Sequence, residues 1–290
     1  MIGGDSFKIN LQPDSTGRRN AQTSAVIPVS IVSSWSNMKP YFIRHTVAVA
    51  MMVFLIAGCA GGRKPLETLT YRSAPLRNRH LIVFLRGLGG AWGCLAKPHQ
   101  CFEAEKFVEA VRIRRLPFDM VAPDTSFTYY RNRTLEERLM EDIIKPAKAD
   151  GYEKIWLVGV SMGGLGSLLF LKKHQAYVDG VLLLGPYLGD RSIIDEISAA
   201  GGLKQWLPGA YDSREDWQRM LWDWLKQYNE HLHGRVPIYL GIGDDDIYNE
   251  AQMLLAQYLP QDRVIRMPGG HRFSTFKQIW DVFLDKQILK

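Results

Sequence analysis

Three side chains that lie far apart in this chain could together carry out nucleophilic chemistry on an acyl carbon. Ser161 stands in the pentapeptide Gly159-Val160-Ser161-Met162-Gly163. A serine hydroxyl attacks well only when a base removes its proton, and the base needs a carboxylate to fix its tautomer and stabilise its cation. The chain has seven histidines. His45 lies in an N-terminal apolar segment, His80 opens a strand-like run, His99 is in a loop, His174 ends a helical run, and His231 and His233 flank a polar turn. His271 alone has a setting suited to a base. It follows the run Asp262-Arg263-Val264-Ile265-Arg266-Met267, sits in the turn Pro268-Gly269-Gly270-His271, and precedes a final amphipathic segment. The carboxylate is expected at a strand end between Ser161 and His271. Asp244-Asp245-Asp246 follows the strand-like Pro237–Gly243, and adjacent acids repel one another, so at least one of them needs a stabilising partner. Asp190, after Val181-Leu182-Leu183-Leu184, is the alternative outside that cluster.

Such groups must be held by a sheet. The short apolar run Ile155-Trp156-Leu157-Val158 reads as a strand directly before Ser161, and Leu165–Leu171 after it reads as a buried helix. Gly-x-Ser-x-Gly between a strand and a helix forms a nucleophile elbow, a turn so sharp that a Cβ at either glycine position would collide with the neighbouring strand or helix. Leu81–Leu85 is a strand that leads into Arg86-Gly87-Leu88-Gly89-Gly90. Glu103–Arg114 reads as a helix and Asp119–Ala122 as a strand ending at Pro123-Asp124. Thr134-x-x-Glu137 is a capping box that opens a helix toward Ala149, which Gly151 ends. This alternation predicts a parallel sheet covered on both faces. Residues 186–234 are the least regular, and hold four of the eight tryptophans. Trp217, Leu221, Trp224 and Tyr228 recur at the spacing of one helix face. They predict a helix packed on the sheet, with an acyl-binding lid as the alternative and Trp206 and Trp222 as the pocket candidates.

The order serine, aspartate, histidine differs from the orders of chymotrypsin and subtilisin and matches that of the α/β-hydrolases. Over residues 79–290 the chain resembles the α/β-hydrolase superfamily. The resemblance implies a mostly parallel central sheet with helices on both faces, and places a small helical cap-like insertion at 186–234. In that family the acid often ends a Gly-x-x-Asp stretch. Gly243-Asp244-Asp245-Asp246 fits it and favours Asp246. The oxyanion loop commonly reads His-Gly-x-Gly-Gly, and here Arg86 stands where the family has His. By resemblance, the backbone N–H groups of Leu88 and Met162 would hold the developing oxyanion. The implied activity is that of a serine hydrolase, esterase- or lipase-like, acting on a small-molecule or lipid-like acyl substrate without a cofactor. An acyltransferase or thioesterase would use the same triad, and a non-catalytic envelope lipoprotein could keep the fold as a binding scaffold. No His-Glu-x-x-His and no cluster of Cys or His at ligand spacing implies a metal.

The N-terminus bears on location. Lys39 and Arg44 form a basic front after Met38, the eleven apolar residues Val47–Ala57 follow, and then comes Gly58-Cys59-Ala60-Gly61-Gly62. Spanning a bilayer takes about 20 residues, whereas a run of this length suits the apolar core of a secretory signal. Ile56-Ala57-Gly58-Cys59 resembles the lipobox of bacterial lipoproteins. It implies a signal peptide at 38–58, a lipidated Cys59 as the mature N-terminus, a tether at 59–78 and the hydrolase domain at 79–290. Ala60, in place of an Asp that resembles an inner-membrane retention signal, favours the outer membrane, facing the periplasm. Residues 1–37 are expected to be an over-extended start or a disordered extension upstream of Met38. The whole chain carries a net charge of +6; without residues 1–58 it has 31 basic against 28 acidic residues, a net of +3. No basic cluster interleaved with aromatics remains, which excludes nucleic acid as an expected partner. Once Cys59 is assigned to lipid, Cys94 and Cys101 form a pair that an oxidising periplasm could close into a disulfide, the alternative being two thiols.

Overall fold

The computed structural model describes residues 64–73, 78–88, 98–230 and 235–289. The expectations for residues 1–58, for Cys59, for Cys94 and for His231 and His233 therefore lie outside the described residues. Cys101 is described and is buried.

Seven strands form one sheet: β1 (Thr68–Tyr71), β2 (His80–Leu85), β3 (Phe118–Pro123), β4 (Lys154–Val160), β5 (Gly180–Leu184), β6 (Ile238–Asp245) and β7 (Val264–Gly270). Their order is β1-β3-β2-β4-β5-β6-β7. β1 runs antiparallel to β3, and every other neighbouring pair is parallel. The helices are α1 (Cys101–Ala104), α2 (Phe107–Ile113), α3 (Phe127–Arg131), α4 (Leu135–Leu139), α5 (Lys145–Ala149), α6 (Met162–His174), α7 (Arg191–Ala199), α8 (Trp217–Glu230), α9 (Asn249–Ala256) and α10 (Phe273–Asp285).

Because successive strand residues point to opposite faces, each central strand feeds two apolar layers. Leu81, Val83 and Leu85 of β2, Ile155 and Leu157 of β4, and Val181 and Leu183 of β5 join the layer under α4 to α9. Ile82 and Phe84, Trp156 and Val158, and Leu182 and Leu184 join the layer under α2 and α10. A strand buried on both faces reads as an unbroken apolar run, which is why these strands stand out in the sequence. The parallel register then brings their carboxyl ends to one edge. Leu85 pairs with Gly159, Val160 with Leu184, and Leu184 with Gly241. Ligands of open α/β sheets bind outside that edge.

Four local expectations are corrected. The helix expected over Glu103–Arg114 is broken into α1 and α2 by Lys106, which has a left-handed φ of 65°. On one continuous helix Phe102 and Phe107 would point about 140° apart; the break lets both enter the core, where their rings meet edge-on at 5.6 Å. The capping box at Thr134 does not form. Thr134 lies three residues past the end of α3, its N–H bonded to the Tyr129 carbonyl at 3.0 Å, and its backbone is helical with no side-chain cap bond. The helix beyond it also widens into a π-turn at Met140–Ile144, where Pro146 supplies no N–H to the Asp142 carbonyl four residues back. Pro268-Gly269-Gly270 is not a turn but the end of β7, since an edge strand tolerates proline.

The fourth correction concerns the tryptophans. Leu221 and Tyr228 of α8 are buried and Trp217 and Trp224 pack against the same layer, so the expected face exists. Trp206 and Trp222, however, are core side chains, 1% and 0% exposed, and line neither cavity beside Ser161. Their indole N–H groups donate inward, Trp222 to the Leu188 carbonyl and Trp206 to Glu196, each at 2.8 Å. An indole that has found its partner is free to be buried.

Candidate active site

Ser161 falls between β4 and α6, at φ 54° and ψ −117°. A non-glycine residue holds such angles only when its surroundings force them. Here the backbone on both sides is locked: Ser161 N–H donates to the Leu184 carbonyl at 3.0 Å, and its own carbonyl accepts from Gly164 at 2.9 Å and Tyr187 at 3.1 Å. The flanking glycines are required by contact of main chain with main chain. A Cβ on Gly159 would lie 2.3 Å from the Gly163 carbonyl oxygen, and one on Gly163 would lie 2.0 Å from that of Leu85.

His271 follows the end of β7 and crosses to Ser161. Its Nε2 lies 3.0 Å from Ser161 Oγ. Its Nδ1 lies 2.8 Å and 3.0 Å from the two oxygens of Asp246. With Nδ1–H donating to the carboxylate, the neutral ring turns the Nε2 lone pair toward the hydroxyl. Tyr248 and Phe276 hold the imidazole edge-on, at 5.0 Å and 5.2 Å. The Asp246 side chain is fully buried and also accepts the Tyr248 N–H at 2.8 Å. A buried carboxylate needs such partners.

The other acids are not brought to His271. Asp244 and Asp245 are exposed ends of β6, and Asp244 pairs with Arg266 at 2.7 Å. Asp190 precedes α7 and accepts from the Tyr187 hydroxyl and the Gln218 amide. The remaining described histidines, His80, His99 and His174, are not brought to Ser161.

Met162 opens α6, so its N–H is one of the first-turn donors that no helix carbonyl can accept, at the positive end of the helix dipole. Leu88 lines the same cavity as Ser161 and Met162. The preceding Gly87 approaches so closely that a Cβ there would meet Ser161 Cβ at 3.1 Å. The residue that departs from the family pattern explains how this loop is held. Arg86 is 6% exposed. Its Nε donates to Asp124, at the end of β3, at 2.6 Å, and its NH1 donates to the Gly87 carbonyl at 2.9 Å and the Leu88 carbonyl at 3.4 Å. A planar guanidinium can hold a carboxylate and two carbonyls at once. Holding those two carbonyls also fixes the peptide planes to which they belong. The sequence places Asp124 at a strand end, and that place is the one signal that marks it for the site. Tyr130 was missed. It donates to the Met162 carbonyl at 2.9 Å, and burial pushes its phenol pKa up, so it stays a donor.

The cavity at the serine has a volume of about 540 Å³ and is walled by Tyr187, Ile247 and Tyr248 besides the residues already named. Among the described residues no group of three or more His, Cys, Asp or Glu side chains is placed to hold a metal ion.

No protein-family model matches the chain, and no curated protein matches it. Solved structures do. Est1E from Butyrivibrio proteoclasticus, with ferulic acid bound, is 16% identical; the match covers 78% of this chain and 96% of that one, with a TM-score of 0.50. The fluorophosphonate-binding serine hydrolase FphF from Staphylococcus aureus is 11% identical over 78% of this chain and 100% of that one, with a TM-score of 0.52. The S-formylglutathione hydrolase FrmB from Staphylococcus aureus is 13% identical over 76% of this chain and 95% of that one, with a TM-score of 0.50. At these identities the likeness is one of architecture, and the architecture is that of the α/β-hydrolase fold.

Proposed function

We propose that the protein is a serine hydrolase that cleaves a carboxylic ester or a related acyl bond. The observation that carries this reading is the line Asp246–His271–Ser161, with a buried carboxylate at 2.8 Å behind an imidazole that stands 3.0 Å from the hydroxyl. Ser161 Oγ attacks the acyl carbon as His271 Nε2 takes its proton, and Asp246 stabilises the imidazolium. The N–H groups of Leu88 and Met162 donate to the negatively charged tetrahedral oxygen, a contribution of about 3–4 kcal/mol for such a donor. His271 then protonates the leaving alcohol, and water, activated by the same ring, releases the acid. The test is labelling of the full-length protein by a fluorophosphonate probe and its loss in Ser161→Ala. A protein that takes no label, or that labels equally after the substitution, is not a serine hydrolase of this design. Measuring whether the acyl group passes to water or to an added alcohol or amine distinguishes hydrolase from transferase.

We also propose that Cys59 carries lipid and tethers the domain to the bacterial envelope, at the outer membrane. One acyl chain holds only marginally, whereas a diacylglyceryl cysteine supplies two. The sequence Ile56-Ala57-Gly58-Cys59 supports this reading. Mass spectrometry of the native N-terminal peptide tests it: an unmodified Cys59 removes the anchor and leaves the hydrolase reading standing.

A further inference from the structure

Beside the Ser161 cavity lies a second cavity, also of about 540 Å³, and the two share Phe127, Met162 and Tyr187 in their walls. Its inner wall is apolar, built by Leu165 and Leu169 of α6 and by Trp217 and Met220 of α8. The phenols at its edge are already committed, Tyr130 to the Met162 carbonyl at 2.9 Å and Tyr129 to the Lys64 carbonyl at 3.2 Å. The outer rim differs in kind. Arg131, the last residue of α3, Arg133, two residues beyond it, and Arg214, which precedes α8, all line it, and all three are exposed. Arg133 donates to the Arg214 carbonyl at 2.6 Å, which ties the two rim segments together. Glu136 is the one carboxylate among the described lining residues, so three guanidinium groups stand against one acid. The Ser161 cavity has the opposite bias, with Asp190 and Glu250 against Arg191.

We propose that the second cavity is a substrate subsite for an apolar arm that ends in an anionic oxygen group, a carboxylate or a phosphate. This rests on the reading of Ser161 as the nucleophile. An arm leaving the reacting carbon passes Met162 and Tyr187, buries its apolar length against α6 and α8, and brings its end to the arginine rim. Guanidinium forks match the oxygens of carboxylate and phosphate. A neutral end fills the same wall but leaves the rim unused, and a cationic end is repelled by it.

The test uses matched esters and the full-length protein. On the acyl side, p-nitrophenyl hexanoate is paired with the p-nitrophenyl monoester of adipic acid. On the alcohol side, hexyl acetate is paired with 6-acetoxyhexanoate. On one of the two sides the anionic member is expected to show a kcat/KM about ten-fold above its neutral partner, as two partly screened charge-assisted contacts would give. Substituting Arg131→Gln and Arg214→Gln together should bring that ratio toward one. The ratio is the readout because loss of fold or of turnover lowers both members alike. Calorimetric binding of octanoate, octyl phosphate and octanol to Ser161→Ala tests the cavity without hydrolysis. The anions should bind about ten-fold more tightly than octanol, and the better of the two names the end group. Equal behaviour of neutral and anionic members, or an anion preference that survives the double substitution, would overturn the proposal. Tight anion binding without any ester turnover supports the subsite and overturns the hydrolase reading instead.

Discussion

The floor of the site and its far wall are built on different terms. The floor comprises the turns after β2, β4, β6 and β7, and there each position is fixed by backbone contacts that admit no alternative. Gly163 cannot carry a Cβ, Ser161 is held at a positive φ, and Asp246 is sealed beneath Tyr248. The far wall comprises α3 and the segment between α7 and α8, whose rim side chains Arg131, Arg133 and Arg214 stand in solvent. A side chain fixed by its surroundings can be placed to fractions of an ångström, which reaction requires. A solvent-facing rim constrains charge and size alone, which is sufficient to select a substrate. The comparison teaches that the proposed chemistry and the proposed selection rest on separable parts of the molecule.

The strongest way to break that comparison is at the nucleophile. Ser161→Ala is expected to lower p-nitrophenyl acetate turnover by about 10⁴-fold or more while the thermal midpoint moves little, because the hydroxyl contributes no packing. Activity above a few per cent of wild type would remove Ser161 from the chemistry. Asp246→Asn should come next, at about 10⁴-fold by the serine-protease precedent, since an amide favours the wrong tautomer of His271. Asp244→Asn, Asp245→Asn and Asp190→Asn should each stay near wild type. Steady-state kinetics on the four variants decide it, and a large loss at Asp190 would relocate the acid.

Arg86→Met probes the loop that carries Leu88. Without the guanidinium the Gly87 and Leu88 carbonyls lose their partner, and kcat is expected to fall by about 10²-fold with a much smaller change in KM, as for a lost oxyanion donor. Arg86→Lys keeps the charge beside Asp124 but not the planar fork, and should lie between the two. A KM effect that equals or exceeds the kcat effect would make Arg86 a binding residue instead. The smallest expected change in activity is at Trp222. Trp222→Phe removes ring volume and the hydrogen bond to Leu188, costing about 2 kcal/mol of stability, which chemical denaturation measures. Its preference among acyl chain lengths should match that of wild type. A shifted preference would return Trp222 to the substrate pocket.

Much of the floor was legible because it is local or strictly ordered. The Gly-x-Ser-x-Gly turn announces itself within five residues, and the two-faced burial of β2, β4 and β5 leaves continuous apolar runs. His271 could be picked by its place after the last strand even though β7 extends farther than its glycines suggest. Among Asp244, Asp245 and Asp246, the pattern of the family pointed to the residue that the structure seals beside His271. What stayed hidden depends on contacts distant in sequence. Arg86 and Asp124 meet across 38 positions, and neither residue type alone signals a clamp. Trp206 and Trp222 looked like pocket residues because indoles often are, and only the carbonyl of Leu188 and the carboxylate of Glu196 reveal them as core. Thr134 carries the letters of a capping box, but the preceding helix already fixes its backbone.

The places of β4 and β7 in the sheet set an order of failure. Ser161 hangs from β4, which has three strands on either side, whereas His271 hangs from β7, the last strand of the order. Edge elements open at lower free energy than central ones. An excursion of β7 that leaves most of the secondary structure intact would carry the imidazole off the hydroxyl, and with it the proposed activity, while the chain is still folded. On a urea titration, turnover should therefore disappear before the far-UV circular dichroism does, and the interval between the two curves measures how loosely the base is hung.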